Sequence, residues 1–262
     1  MTERAVVLGK LYNGAVTITT LARTILIAFT FSSCVGLGLA PTPTLTPERM
    51  AAQNLVTQAD HILARSIFAG AVAAYREATE IDPSLSYAYS HLAYAQLFNR
   101  AAQEAAIDQA RRATELEPES GDAWAYLGRA YDWNGMFDEA LNAAEKGAKL
   151  APKSADAHSF LGEIYSDLRR YDEALSSAEK AVELDPNNAE AHRNLGYTYS
   201  HMNRKTEALA EYQKAYNLQP EFVHRMTSLA SYYLYTEDDL ETAREWLNKA
   251  RDLAPKYYIT LS

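Results

Sequence analysis

The sequence predicts an all-α solenoid, a stack of about six helix-turn-helix units. Three observations predict it. After residue 50 the prolines fall at 83, 118, 152, 186, 220 and 255, at steps of 35, 34, 34, 34 and 35 residues. Such a fixed period marks a chain of repeated supersecondary units. Within each period a helical apolar face recurs, and small residues return at the same slots.

The elements follow in order from residue 52. In the third unit, Trp124, Leu127 and Tyr131 stand at i, i+3 and i+7, one face of a first helix. Asn134-Gly135 ends that helix. Phe137, Ala140, Leu141 and Ala144 open a second helix, and Pro152 closes the unit. One period on, these slots hold His158, Leu161, Tyr165, Tyr171, Ala174 and Pro186; another period on, His192, Leu195, Tyr199, Ala208 and Pro220. Ser120, Ser154 and Asn188 read as N-caps of successive first helices. The acids that follow, Asp122, Asp156 and Glu190, suit the positive end of the helix dipole and read as structural. Midway along the first helices stand Ala59, Ala93, Gly128, Gly162, Gly196 and Ala230. Early in the second helices stand Ala71, Ala106, Ala140, Ala174, Ala208 and Ala243, and seven residues later Ala78, Ala113, Gly147, Ala181, Ala215 and Ala250. Helices approach closely only where small residues meet. The two 35-residue steps place one extra residue in the inter-helix turns near 99–103 and 237–239.

This pattern resembles the tetratricopeptide repeat (TPR) family, whose period is about 34 residues and whose signature is Trp, Leu-Gly, Tyr, Ala, Phe, Pro. The resemblance covers 52–255, with a tail at 256–262. It implies a right-handed superhelix whose first helices line a concave groove that binds a protein or peptide segment. The slots expected to face it include Tyr87, Tyr94, Phe98, Tyr126, Arg129, Trp133, Phe160, Glu163, Arg193, Asn194 and Tyr197. Glu163 and Asp167 beside the aromatic strip would repel an acidic ligand. Tyr212, on a second helix, is expected to lie away from the groove. Arg193 and Asn194 supply only a fragment of the carboxylate clamp of TPR co-chaperones, since His224 and Ser228 stand where its lysine would.

Upstream of residue 50 the composition changes. Arg4, Lys10 and Arg23 precede the uncharged run 24–33, and then comes Cys34, the single cysteine of 262 residues. A basic lead, a short apolar core and small residues before a break form an export signal. With Ser32-Ser33-Cys34 the pattern resembles a bacterial lipoprotein signal, which implies cleavage after residue 33 and lipidation of Cys34. An uncleaved membrane anchor and an ordinary cleaved signal are the alternatives. All three place the array outside the cytoplasm, and the Pro/Thr-rich stretch 34–51 reads as a stiff spacer.

A net charge of −9 argues against a nucleic-acid partner. No phosphate loop, HExxH, CxxC or GxSxG is present, so no enzyme, metal or cofactor is expected. His158 and His192 share the packing slot of Trp124 rather than forming a metal pair. The leading function is a non-catalytic interaction scaffold, exported and lipid-anchored. A cytoplasmic or membrane-anchored adaptor comes second, and an accessory subunit of an enzyme third.

Overall fold

The protein is described by a computed structural model over residues 46–253. Cys34, the expected signal, most of the expected spacer, Pro255 and the tail lie outside these residues. Twelve α-helices and no strand occur among the described residues. They pair as six antiparallel hairpins: α1 (Pro47–Ala64) with α2 (Phe68–Ile81), α3 (Ser86–Leu97) with α4 (Gln103–Leu116), α5 (Gly121–Trp133) with α6 (Phe137–Leu150), α7 (Ala155–Asp167) with α8 (Tyr171–Leu184), α9 (Ala189–His201) with α10 (Lys205–Leu218), and α11 (Val223–Tyr235) with α12 (Leu240–Leu253). First helices also pack on the first helices of the next hairpin, so α3, α5, α7, α9 and α11 form an inner layer.

Helix starts follow the local chemistry. The Ser120 and Ser154 hydroxyls accept from the backbone N–H of Ala123 and Ala157, and the Asn188 side chain accepts from Glu190 and Ala191. Each such cap is worth about 1 kcal/mol. The first helix starts at Pro47, five residues before the expected boundary. Thr46 caps it, Pro47 takes a first-turn position whose N–H would have no helical partner, and Glu48 faces the positive end. The stretch 47–51 is therefore helix, not spacer.

The turns inside the hairpins share one device. Ser66, Gly135, Arg169, Asn203 and Asp238 all have positive φ, between 55° and 74°. These positions fall at one repeat slot, of which the sequence shows openly only Asn134-Gly135. In the second hairpin the slot is replaced by a 3₁₀ turn over Arg100–Ala102, which accommodates the extra residue.

The small slots sit where helices touch. Every second-helix alanine at the first slot is 0–3% exposed. A Cβ added to Gly128 would come 2.9 Å from the Ala144 backbone nitrogen and 3.0 Å from the Ala140 carbonyl oxygen and the Ala144 methyl. A Cβ essentially never sits under 3.0 Å from a backbone nitrogen of another helix, so no larger residue fits without separating α5 from α6.

The inner layer closes on itself. The Ser66 hydroxyl, in the first hairpin's turn, accepts from the Val223 N–H at 2.7 Å and donates to the Glu221 carbonyl at 3.2 Å. Phe222 packs on Phe68 and Phe98 at 5.7 and 5.4 Å between ring centres. His224 packs on Phe98 and Trp133. The first hairpin thereby meets the junction between the fifth and sixth. At the last hairpin, Tyr235, Leu240, Leu247 and Leu253 are exposed, as expected of an array without a further solvating helix within the described residues.

Candidate functional site

The expected groove residues converge on the inner layer, but most of them fill it rather than line an open channel. Tyr94, Phe98, Tyr126, Trp133 and Phe160 form a continuous ring cluster: Tyr94 meets Phe98, Tyr126 and Phe160 at 5.1–6.4 Å, and Phe98 meets Trp133 at 5.4 Å. Their sequence spacing put them on one side of consecutive helices. Closure of the array then made that side an interior, where large rings bury their area.

The charged candidates form a second inner cluster. The Arg129 guanidinium is 1% exposed and lies 4.5 Å from the Phe160 ring centre. It is 3.0 Å from Glu163 and 2.8 Å from Glu190. Arg193 lies 2.6 Å from Glu163 and 3.0 Å from Glu190, and Arg225 is 2.8 Å from Glu190. Burial alone would raise the Glu190 carboxyl. The Arg129, Arg225 and Arg193 charges overcome this and hold it well below the usual carboxylate range. Glu190 is thus more than a first-turn acid: it joins the third, fifth and sixth hairpins. Glu163, expected beside the strip as a repelling charge, is consumed by Arg129 and Arg193.

Asn194 is wholly buried, donating to the Ser159 hydroxyl and carbonyl and accepting from Arg193. Tyr197 donates to Asp167 at 2.5 Å. Arg193 and Asn194 are therefore turned inward, to Glu163, Glu190 and Ser159, rather than presented as a clamp for a partner's carboxylate. Tyr212, expected to be remote from this region, is a buried core residue against Tyr232. Asp132 lies close enough to Asp167 for the Asp167 charge to act on it. Burial pushes Asp132 up to about 8 and Asp167 up to about 6, with the Glu163 charge as the next cause for each.

Openings remain in the inner layer: one of about 350 Å³ between α9 and α11, beside Tyr197 and Tyr235, and a mouth beside α1 and α3. At the mouth, a cavity of about 430 Å³ lies between α1, α3, α5, α7 and the α8–α9 and α10–α11 turns. Asp60, Tyr87, His91, Tyr126, Asp156 and Arg225 are among the residues that line it. Tyr87 is half exposed. Of the expected groove residues, Tyr87, Tyr94, Tyr126 and Phe160 reach this cavity. Asp60 and Asp156 were not singled out for it from the sequence. Asp156 looked like a cap acid, and Asp60 sits in the least typical repeat.

The shared slot of Trp124, His158 and His192 has a specific explanation. The indole N–H donates to the Pro118 carbonyl at 2.8 Å; the Nε2 atoms of His158 and His192 lie 3.2 and 3.0 Å from the Pro152 and Pro186 carbonyls. A carbonyl can only accept, so each imidazole presents Nε2–H. The slot thus selects a ring with an N–H, and the repeat proline's carbonyl is its partner.

Two tetratricopeptide repeat sequence profiles match, over residues 102–164 and 153–221. No curated protein matches the sequence. Among solved structures, the chain is similar to TTC0263, a thermophilic TPR protein in Thermus thermophilus. That likeness has 24% identity and a TM-score of 0.58, over 70% of this chain and 100% of that one. It is also similar to YrrB, described as a TPR protein with an unusual peptide-binding site, at 25% identity and a TM-score of 0.41 over 71% of this chain and 95% of that one. A third is MamA, at 22% identity and 0.42 over 60% and 91%. By sequence over residues 102–221, and by the fold of its six hairpins, the chain is a tetratricopeptide repeat protein.

Proposed function

We propose that the protein is a non-catalytic scaffold that engages a protein segment at the mouth of its inner layer. The TPR fold implies protein or peptide binding, and proteins of this family are generally scaffolds without catalysis. The observation that carries the placement is the contrast within the inner face. Its middle is packed shut by Arg129, Phe160 and their neighbours, while a cavity of about 430 Å³ stays open beside half-exposed Tyr87. Binding is thereby confined to a short stretch of the partner.

The same reading places the array outside the cytoplasm, tethered through lipid on Cys34 after removal of residues 1–33. The support is the sequence pattern around Cys34 alone. Among the described residues no helix is long and apolar enough to cross a membrane. One experiment addresses both parts. Wild type, Cys34→Ala and Tyr87→Ala are expressed with a C-terminal tag, labelled with a fatty acid and captured from membrane extract. The expected result is label on wild type but not on Cys34→Ala, and a captured partner that Tyr87→Ala loses. Equal labelling removes the lipid anchor, and undiminished capture by Tyr87→Ala removes the mouth as the contact site.

A further inference from the structure

The mouth has a chemistry of its own, and it points to one class of ligand. Its aromatic wall is built by Tyr87, His91 and Tyr126. Tyr87 stacks on His91 at 3.8 Å between ring centres, and His91 meets Tyr126 at 4.9 Å. His91 Nδ1 lies 3.1 Å from the Tyr87 carbonyl and so donates to it. Burial lowers the His91 pKa, so the ring is neutral near pH 7 and supplies no cation of its own.

Two carboxylates flank this wall, and both are held by neutral donors. Asp60 accepts from the Tyr75 hydroxyl at 2.5 Å and from the Tyr87 hydroxyl at 3.3 Å. Asp156 accepts from the Asn188 amide at 2.7 Å and lies 3.4 Å from the Tyr126 hydroxyl. Among the described residues no lysine, arginine or histidine nitrogen comes within 4.0 Å of either one. Arg225 is the one arginine lining the cavity, which has no lysine, and it is engaged by Glu190 at 2.8 Å and Gln219 at 2.9 Å. On the far side of Tyr126 a second cavity of about 320 Å³ shares Tyr87, His91 and Asp156 and adds Glu117 and Asp122, with no basic residue other than His91. The ring faces and the carboxylates thus act in the same sense. An electron-rich ring attracts a cation, and a carboxylate with no basic side chain beside it attracts the same cation.

We propose that the mouth is a binding site for an organic cation: an alkylammonium or guanidinium group seated on the Tyr87–His91–Tyr126 wall between Asp60 and Asp156, presented by a lysine or arginine of a basic partner segment. This rests on the reading of the mouth as the scaffold's contact site and names the partner's chemistry. A carboxylate-terminated or phosphorylated segment is excluded by the same charges.

The test uses the purified full chain and defined probes: a capped lysine-glycine peptide, the same peptide with its lysines acetylated, and spermidine as a free amine. Binding is followed by calorimetry or tyrosine fluorescence at low and high salt. The expected result is that the basic peptide binds and that acetylation abolishes binding. Asp60→Asn, Asp156→Asn and Tyr87→Ala should each weaken it about five- to tenfold. Glu183→Gln, an exposed acid on α8 paired with Lys180, should change nothing. Spermidine binding with the same sensitivity to the variants, without peptide binding, keeps the cation site but assigns it to a small amine, overturning the partner segment. Equal affinity for the acetylated peptide, or unaltered affinity in variants whose melting is intact, overturns the cation site. In that case a partner still lost by Tyr87→Ala leaves the scaffold reading in place.

Discussion

At the scale of single residues, the interior is organised by charge as much as by apolar packing. Arg129, Arg193 and Arg225 meet Glu163 and Glu190 in a space that the aromatic rings keep dry. Removing one partner from such a cluster costs about 3–5 kcal/mol, because it strands the others. Asp132, beside it, has the opposite problem. Burial first, then the Glu163 and Asp167 charges, push it up to about 8 from an ordinary 3.8. The folded chain therefore keeps a proton that the unfolded chain has released. Its stabilising effect is complete at low pH and is lost as pH rises through about 8; Asp167 behaves likewise up to about 6. His224 runs the other way. Burial, then the Arg193 charge, hold it well below 6.5, so its effect is present above 6.5 and lost as pH falls. The Asp132 loss runs from about pH 4, where the unfolded chain releases the proton, to about pH 8, where the folded chain does; the opposing gain from His224 is complete by about pH 6.5, so melting temperature should decline between about pH 6.5 and 8 and level off above. Asp132→Asn should remove most of that alkaline decline, gaining about 1–3 kcal/mol at pH 8.5. Parallel profiles for variant and wild type would show that Asp132 is ionised throughout. Arg129, Glu163 and Arg193 could be assigned to first helices from the sequence. The sequence did not show that they pair, because pairing depends on how far the array curls.

Among the helices, close approach is set by the alanine slots. Ala174 is wholly buried and packs in one cluster with Leu161, Ile164 and Tyr165. Ala174→Leu should cost about 1–3 kcal/mol, since three added carbons have no room between α7 and α8. His158→Phe should cost less, because the partly exposed ring loses only its bond to Pro152. Thermal melts in the reverse order would refute the packing assignment. The helices and their pairing were legible because a 34-residue period repeats every constraint six times, and an atypical unit such as the first is read by its neighbours. The shared left-handed turn position was not legible. Ser66, Arg169, Asn203 and Asp238 have no side chain in common, and the backbone alone imposes the conformation.

For the molecule as a whole, the decisive feature is the contact between the first hairpin and the junction before the last. Phe222 is its apolar centre, buried between Phe68 and Phe98. Phe222→Ala should cost about 3–5 kcal/mol and let α1 exchange its amide hydrogens faster. If exchange in α1 keeps pace with that in α7, the contact is incidental. The sequence could not disclose this closure, because curvature accumulates from a small rotation per repeat that no single slot encodes. Its consequence concerns folding. An open stack is nearly one-dimensional: each repeat leans on its neighbours, and the ends can unzip independently. Here Ser66 and Val223 bond across a separation of 157 positions. The first hairpin's turn cannot open without releasing the junction ahead of the last hairpin. The array should therefore unfold in one concerted step, and it should fold more slowly than its local helical contacts alone would suggest, since the last bonds wait on a long loop closing. A truncation that removes α11 and α12 would then loosen the hairpin at the opposite end of the chain.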